Sequence, residues 1–142
     1  MTISIPLTQR QSAIVSDEDA DLAELKWCAV FDPSYGNGGA FRAMRAGKNN
    51  RGILMHREIV ERSIGCLTSK DHVDHINGNP LDNRRENLRI VTASQNSMNR
   101  RRGNGNSSGY KGVTFDKKTQ KWVAQIQKNY KHENLGYFTS PE

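Results

Sequence analysis

The strongest constraint on this chain is one polar, ordered stretch set between short apolar runs. Val73-Asp74-His75-Ile76 is a strand candidate. Asn77-Gly78-Asn79-Pro80 predicts a turn, because glycine adopts positive φ at little cost and proline fixes its own φ. Leu88-Arg89-Ile90-Val91 predicts a second strand, after which Thr92 or Ser94 can cap a helix. The predicted order is strand, loop, strand, helix.

The side chains at the two ends of this stretch have complementary chemistry. Asp74 and Asn96 offer oxygen ligands, one charged and one neutral, which suit Mg²⁺ or Mn²⁺ better than zinc. His75 follows Asp74, and an imidazole of ordinary pKa can accept a proton from water at neutral pH. A metal ion, a base and a cationic surface together meet the requirements of phosphodiester hydrolysis.

The full string Asp-His-Ile-Asn-Gly-Asn-Pro-Leu-Asp-Asn-Arg-Arg-Glu-Asn-Leu-Arg, followed by Ser-Gln-Asn, resembles the HNH endonuclease family. The similarity is to phage and intron-encoded members with Asp-His first, Asn in the middle and Asn last. It implies that His75 is the general base, that Asp74 and Asn96 bind one divalent ion, and that Asn87 orients the loop and the histidine. Many members have His where this chain has Asn96, which favours Mg²⁺-type ions over zinc.

A purely structural interpretation of the same stretch is a polar hairpin with Asn87 as a turn former and Asn96 as a helix cap. Neighbours on a regular strand also face opposite ways, so Asp74 and His75 can share a site only if the strand ends or twists there. His72 has the same strand parity as Asp74 and is the nearest rival for a metal-binding or base role.

The charge of the chain is unevenly distributed along its 142 residues. Residues 1–95 carry 12 Lys and Arg against 12 Asp and Glu, whereas residues 96–142 carry 9 against 3. A basic segment attached to a neutral one indicates a polyanionic partner, DNA or RNA, although an ordinary solvated charged face is the alternative. Together with the resemblance, we expect double-stranded DNA. No apolar run approaches a membrane span, no signal peptide is visible, and the cysteines lack metal-binding spacing. We therefore expect reduced, buried thiols, no membrane and, with the resemblance, a phage-encoded protein in the bacterial cytoplasm.

The resemblance and the strand pattern predict an α+β chain in four parts. A small strand-rich segment at 1–50 precedes a ββα-metal (HNH) nuclease core at 51–102, and residues 103–108 form a linker. A three-stranded antiparallel sheet at 109–142 follows.

Three side chains before the polar stretch are open to two interpretations. Arg42 and Arg45 are either phosphate contacts or ordinary exposed strand residues. His56, at the start of a predicted helix His56–Ile64, either contacts DNA or packs on the core.

A cluster at Arg100, Arg101 and Arg102 suits an arm along the DNA backbone or a basic linker without fixed contacts.

The C-terminal strands, with Gly-Tyr-Lys-Gly-Val, Lys-Trp-Val-Ala-Gln-Ile and Leu-Gly-Tyr-Phe, resemble the DNA-binding domain of plant ethylene-response factors. That fold lays a three-stranded sheet in the major groove, with a helix behind it. The resemblance implies an incomplete domain here, because the sequence stops where the helix should begin. The DNA-contacting residues expected in this unit are Lys111, Thr114, Lys117, Lys121, Gln125 and Gln127. A lid on the nuclease is the alternative role.

Taken together, these features predict a site-specific DNA endonuclease of the homing type that uses one divalent ion and no small-molecule cofactor. A catalytically inactive DNA-binding regulatory module is the main alternative. A structural or packaging-associated phage protein is the third.

Overall fold

A computed structural model of the chain describes residues 1–35, 38–99, 107–128 and 131–141. Its elements are short strands and a few helices. The strands are β1 Thr2–Pro6, β2 Ser12–Ser16, β3 Cys28–Asp32, β4 Ala40–Ala46, β5 Gly52–Leu54, β6 His72–His75, β7 Leu88–Val91, β8 Val113–Asp116, β9 Lys121–Lys128 and β10 Lys131–Phe138. The helices are α1 Met55–Ile64 and α2 Ala93–Asn99, with 3-10 turns at Asp17–Glu24, Lys48–Asn50 and Arg85–Asn87.

The strands pair into small antiparallel sheets rather than one large one. β1 pairs with β2, β3–β4–β5 form a three-stranded sheet, β6 pairs with β7, and β9 is the central strand between β8 and β10. The fold is therefore mixed, as expected, with the predicted strand–loop–strand–helix order at β6, β7 and α2.

One hydrophobic core joins the first half of the chain to α1. Its members share near-complete burial and come from β1, β2, the first 3-10 turn, the segment before β3, β4 and α1; they are Ile5, Ala13, Val15, Leu22, Trp27, Ala43, Met55 and Ile59. Burying each large aliphatic side chain contributes about 1.5–3 kcal/mol. The predicted segments 1–50 and 51–102 thus share a core, and their boundary falls between the paired strands β4 and β5.

Polar contacts fasten β2 and its 3-10 turn to the loop between β6 and β7. The Asn83 amide donates to the Ile14 carbonyl at 2.7 Å, and the Ile14 amide donates to the Leu81 carbonyl at 2.8 Å. Asp19 is fully buried and receives Arg85 Nε at 2.7 Å and Nη2 at 2.8 Å. A buried carboxylate needs such a partner, so this pair fixes where the loop sits.

Two apolar side chains and the two cysteines lie outside the buried core. Leu25 and Ile64 are both exposed. Leu25 lies just beyond its 3-10 turn and Ile64 is the last residue of α1, where the chain turns away from the core. Cys28 is half-buried and Cys66 exposed, and both are free thiols.

The C-terminal sheet has two chemically different faces. Its strand register places Val113 opposite Ala124 and Phe115 opposite Trp122, and the rings of the latter pair lie 5.0 Å apart. Large apolar side chains remain exposed in this unit, among them Phe115, Ile126, Leu135 and Phe138. β8 begins at Val113, and the register of β10 with β9 shifts at a bulge between Asn134 and Gly136.

Candidate active site

Asp74 and His75 lie at the loop end of the β6–β7 hairpin. In the register, Asp74 lies opposite Arg89 and His75 lies opposite Leu88. His75 is the last residue of β6, and its carbonyl accepts the Gly78 amide at 2.9 Å, which starts a turn at a glycine of positive φ. Because the strand ends there, adjacent residues line the same groove.

That groove has a volume of about 760 Å³ and is walled by elements from both halves of the chain. Asp74 and His75 line it from β6, Asn96 lines it from α2, and Arg89 lines it from β7. The structure therefore brings together three of the four residues expected in the catalytic centre. His72, the rival candidate, lines the same groove.

His75 is held by two buried neighbours. The side chain is 5% exposed, and its Nε2 lies 3.2 Å from Asn83 Oδ1. The ring of His56 packs edge-on against it, with centroids 5.1 Å apart and an interplanar angle of 78°. Burial, against the opposing hydrogen bond to Asn83, lowers the pKa of His75 below its ordinary value. The imidazole is therefore neutral at pH 7.

His56 belongs to the interior rather than to the solvent-exposed surface. It is the second residue of α1 and is 7% exposed, which agrees with the core-packing alternative. Burial, followed by the positive surroundings of His75, Arg42 and Arg57, lowers its pKa to about 3. His56 is thus a neutral ring that packs behind His75.

The Asp74 carboxylate already faces a cation across the strands. Arg89 donates to Asp74 Oδ2 from Nε at 3.0 Å and from Nη2 at 2.8 Å. Asp74 is largely buried, with its side chain 15% exposed, whereas Arg89 is more open at 43%. Asp74 thus lines the groove while its Oδ2 is hydrogen-bonded to Arg89.

Asn87 lies behind the groove, where it fastens the loop that follows His75. Its Oδ1 accepts the Asn77 amide at 3.0 Å, and its Nδ2 donates to the Asp82 carbonyl at 2.7 Å and to Asn77 Oδ1 at 3.1 Å. The Asn87 carbonyl also accepts the Ile76 amide at 2.9 Å. These bonds hold the loop, while the direct contact to the histidine ring comes from Asn83.

Asn96 is carried by a capped helix. The Thr92 Oγ1 accepts the Gln95 amide at 3.2 Å, and Gln95 Oε1 accepts the Thr92 amide at 2.8 Å, a reciprocal capping box. Of the two expected caps, Thr92 is therefore the one used. The half-buried Asn96 lies in the first turn and lines the groove.

The expected DNA-contacting residues of the C-terminal unit are all exposed. Lys111 precedes β8, Lys117 lies in the turn after it, and Lys121 begins β9. Thr114 pairs with Val123, two residues from Gln125 and four from Gln127, so Thr114, Gln125 and Gln127 lie on one face of the sheet. Arg100, Arg101 and Arg102 fall outside the described residues.

Sequence reasoning left the role of Arg42 open and missed Arg57 and Asn83. Arg42 and Arg57 line the groove, and Asn83 holds His75. Arg45, by contrast, pairs with Glu58 at 2.9 Å and lies over Trp27, with its Cζ 5.6 Å from the ring centroid. Arg42 and Arg45 are an odd number of positions apart, so their side chains lie on opposite faces of the strand. This alternation is the sequence signal that could have distinguished the two arginines.

The described part of the chain contains no group of three or more His, Cys, Asp and Glu side chains arranged to hold a metal ion. Asp74 and Asn96 form a sparser donor set, one carboxylate and one amide. Such a set fits a hard ion that retains several water ligands.

Comparison with known proteins matches this region to one family. Residues 54–98 match the HNH endonuclease family. The chain is 32% identical over 80 residues to Protein 3.8 of Escherichia phage T7, a match that covers 56% of this chain and about two thirds (66%) of the phage protein. No solved structure matches the chain. Within the described residues, no helix is both long enough and apolar enough to cross a bilayer. The matched residues 54–98, which supply most of the groove lining, including Asp74, His75 and Asn96, are therefore similar to HNH endonucleases.

Proposed function

We propose that this protein is a metal-dependent endonuclease of the HNH homing type, which hydrolyses phosphodiester bonds at a recognised site in double-stranded DNA. One observation carries the proposal: Asp74, His75 and Asn96, from a strand end and a separate helix, line a single groove. A polar hairpin with a merely structural role has no need to place a carboxylate, a neutral imidazole and an amide around one open space.

The donor set supports a single Mg²⁺ or Mn²⁺ ion. Asp74 and Asn96 would hold it through oxygen atoms. When bound, such an ion supplies stabilisation of the negative charge on the phosphate and on the leaving oxygen. The succession β6, β7, α2, with α2 in contact with both strands, supports the expected ββα-metal arrangement.

His75 would act as the general base. With Nε2 hydrogen-bonded to the Asn83 oxygen, the neutral ring carries its proton on Nε2, so Nδ1 has the free lone pair. Nδ1 would take the proton of the attacking water, and the hydrogen bond to Asn83 would hold the ring as it becomes charged. Asn87 would act indirectly, by fixing the loop that carries Asn83.

The C-terminal sheet would supply DNA binding and target choice. Thr114, Gln125 and Gln127 would read base edges from its polar face, while Lys111, Lys117 and Lys121 would contact phosphates. Arg100, Arg101 and Arg102 would follow the backbone between the two units. We expect the protein to act in the cytoplasm of the bacterial host and to need no small-molecule cofactor.

A plasmid nicking assay tests the proposal. The wild-type protein should convert supercoiled DNA to open-circular or linear DNA with Mg²⁺ or Mn²⁺ and should be inactive in EDTA. His75→Ala should lower the rate on the order of 10²–10⁴-fold while binding DNA in EDTA as well as the wild type does, since a base acts on the barrier.

His72→Ala is the matched control, because it removes a second groove-lining imidazole from the same strand. It should retain most of the activity. Unchanged cleavage by His75→Ala would end its assignment as the base. DNA binding by a wild-type protein that does not cleave in either metal would favour the inactive regulatory module instead.

A further inference from the structure

The wall of the groove opposite the β6 strand is built by the β3–β4 hairpin. Asp32, Ser34 and Arg42 line the groove from this hairpin, which precedes the matched HNH region 54–98. The β3–β4 hairpin therefore forms part of the groove in addition to supporting the core.

Strand geometry explains why this one arginine faces the groove. Val30 lies opposite Arg42, and Asp32 lies opposite Ala40, so Asp32 and Arg42 are diagonal neighbours on one face of the hairpin. Ala43, the next residue along, points to the other face and is fully buried in the core. Moving the register by one residue would exchange the two faces, and core burial of Ala43 therefore fixes Arg42 at the groove.

Arg42 is held firmly but is left with unused hydrogen-bonding capacity. Its Nη2 lies 2.8 Å from Asp32 Oδ2, while Asp32 Oδ1 accepts the Ser34 amide at 2.9 Å and the Ser34 hydroxyl at 2.7 Å. Its Nε is buried without a hydrogen-bond partner among the residues that the structure describes. A buried, unpaired donor costs about 1–3 kcal/mol, so stability alone does not account for an arginine here.

The positive charge of Arg42 reaches the catalytic end of the groove. It is among the positive charges that lower the pKa of His56, whose ring packs against that of His75. Arg57 also lines the groove and donates from Nη1 to a neutral acceptor, the Asp71 carbonyl, at 3.0 Å. The groove thus presents fixed positive charge beside Asp74 and His75.

We propose that Arg42 binds a backbone phosphate of the DNA strand lying in this groove, next to the bond that is cut, with Asp32 as the residue that aims it. A guanidinium presents several donors in a rigid fork that matches phosphate oxygens. The Arg42 side chain is 32% exposed, which leaves part of the fork open to such a ligand. The inference rests on the proposed nuclease function for the identity of the ligand.

The chain offers a closely matched control for this arginine. Arg62, on α1, also has a side chain 32% exposed and also pairs with an aspartate at 2.8 Å, but it is absent from the groove lining. Arg42→Ala and Arg62→Ala therefore remove the same charge and the same kind of ion pair from different places.

The experiment measures affinity for a duplex oligonucleotide in EDTA over a salt series, with cleavage in Mg²⁺ measured separately. Each phosphate contact contributes about 0.9 to the slope of log K against log salt concentration. Arg42→Ala should flatten that slope by about this amount and slow cleavage by about tenfold or more, the fold-change of one hydrogen bond to a charged group. Arg62→Ala should leave both values at those of the wild type.

Thermal unfolding of each variant separates a folding defect from a binding defect. If Arg42→Ala does not fold, Arg42→Gln replaces it in both measurements. The glutamine keeps an amide donor for Asp32 but removes the charge. Equal slopes and rates for the Arg42 and Arg62 variants would overturn the inference and leave Arg42 as a structural ion pair. A flattened slope in a protein that never cleaves would uphold phosphate binding by Arg42 while refuting the nuclease function.

Discussion

At the residue scale, Asp82 shows how the loop behind the groove is anchored. The side chain is 4% exposed. It accepts Arg84 Nε at 2.8 Å, Arg84 Nη2 at 2.7 Å and Asn77 Nδ2 at 2.8 Å. The hydrogen bonds from Arg84, more than its charge, hold the pKa of Asp82 below the ordinary 3.8. The Asp82 carboxylate therefore stabilises the loop, and this stabilisation depends on pH.

This linkage predicts acid sensitivity. A carboxylate whose pKa is lower folded than unfolded adds stability above the unfolded value of 3.8, and that stability is lost as the pH falls through the folded pKa. Asp82→Asn should lower the free energy of unfolding at pH 7 by about 1–3 kcal/mol and make it depend less on pH below 4. Urea denaturation at pH 7 and pH 3 measures both effects. An acid dependence identical to that of the wild type would contradict this assignment.

The two proposed metal ligands should differ in importance. Asp74→Ala removes a formal negative charge from the shell of a dication, whereas Asn96→Ala removes only a dipole. Both variants should need more Mg²⁺ or Mn²⁺ for half-maximal cleavage, and the Asp74 variant should need the greater excess. Rate against metal concentration is the measurement, with His72→Ala as the control from the same groove. Metal curves that coincide for the wild type and both variants would remove these residues from the site.

At the element scale, the function of α2 depends on how its first turn is held. The helix has seven residues, too short to be stable by propensity alone. The capping box between Thr92 and Gln95 and the contacts of α2 with β6 and β7 fix the turn that presents Asn96.

Removing the helix cap should therefore affect activity by changing how firmly Asn96 is positioned. Thr92→Ala should destabilise the helix by about 0.5–2 kcal/mol and raise the metal concentration needed for cleavage, because Asn96 is held less firmly. Thr92→Ser, which retains the cap hydroxyl, is the matched control and should restore the wild-type metal curve. If Thr92→Ala gives the wild-type metal curve, the cap does not position Asn96.

At the scale of the whole molecule, the net positive charge and most of the groove residues lie in different parts of the chain. The segment 1–95 balances 12 basic residues against 12 acidic ones and carries the groove lining except for Asn96, whereas the last 47 residues hold the net charge of +6. Phosphate neutralisation releases counterions, so the basic part should determine how steeply affinity falls with salt.

Deletion of residues 103–142 should accordingly weaken DNA binding and flatten its salt dependence, while metal-dependent nicking at low salt persists. The deletion removes six lysines, at positions 111, 117, 118, 121, 128 and 131. Target choice should also relax, since the sheet is the proposed major-groove reader.

Lys111→Gln, Lys117→Gln and Lys121→Gln combined in the full chain form the matched control, which lowers the charge without removing the sheet. It should flatten the salt slope and leave target choice intact. Equal affinities and slopes for the full and shortened chains would mean that the C-terminal strands do not touch DNA. The lid alternative would then be preferred.

The sequence by itself determined the features that depend on nearby residues. Turn chemistry at Asn77–Pro80, alternation at Leu88–Val91 and the Thr92 cap are local preferences, and they predicted the β6–β7–α2 order. The side-chain types at 74, 75 and 96 likewise predicted a metal site and a base, which stay a prediction, in a region that matches the HNH endonuclease family.

Tertiary structure alone decided which distant residues complete the groove. Arg42 reaches it because Ala43 on the opposite face is buried, His56 backs His75 because α1 packs on the core, and Asn83 meets His75 because the loop is tied to β2. The physical reason is that these placements follow from burial and register across long sequence separations, which local propensity and spacing do not encode.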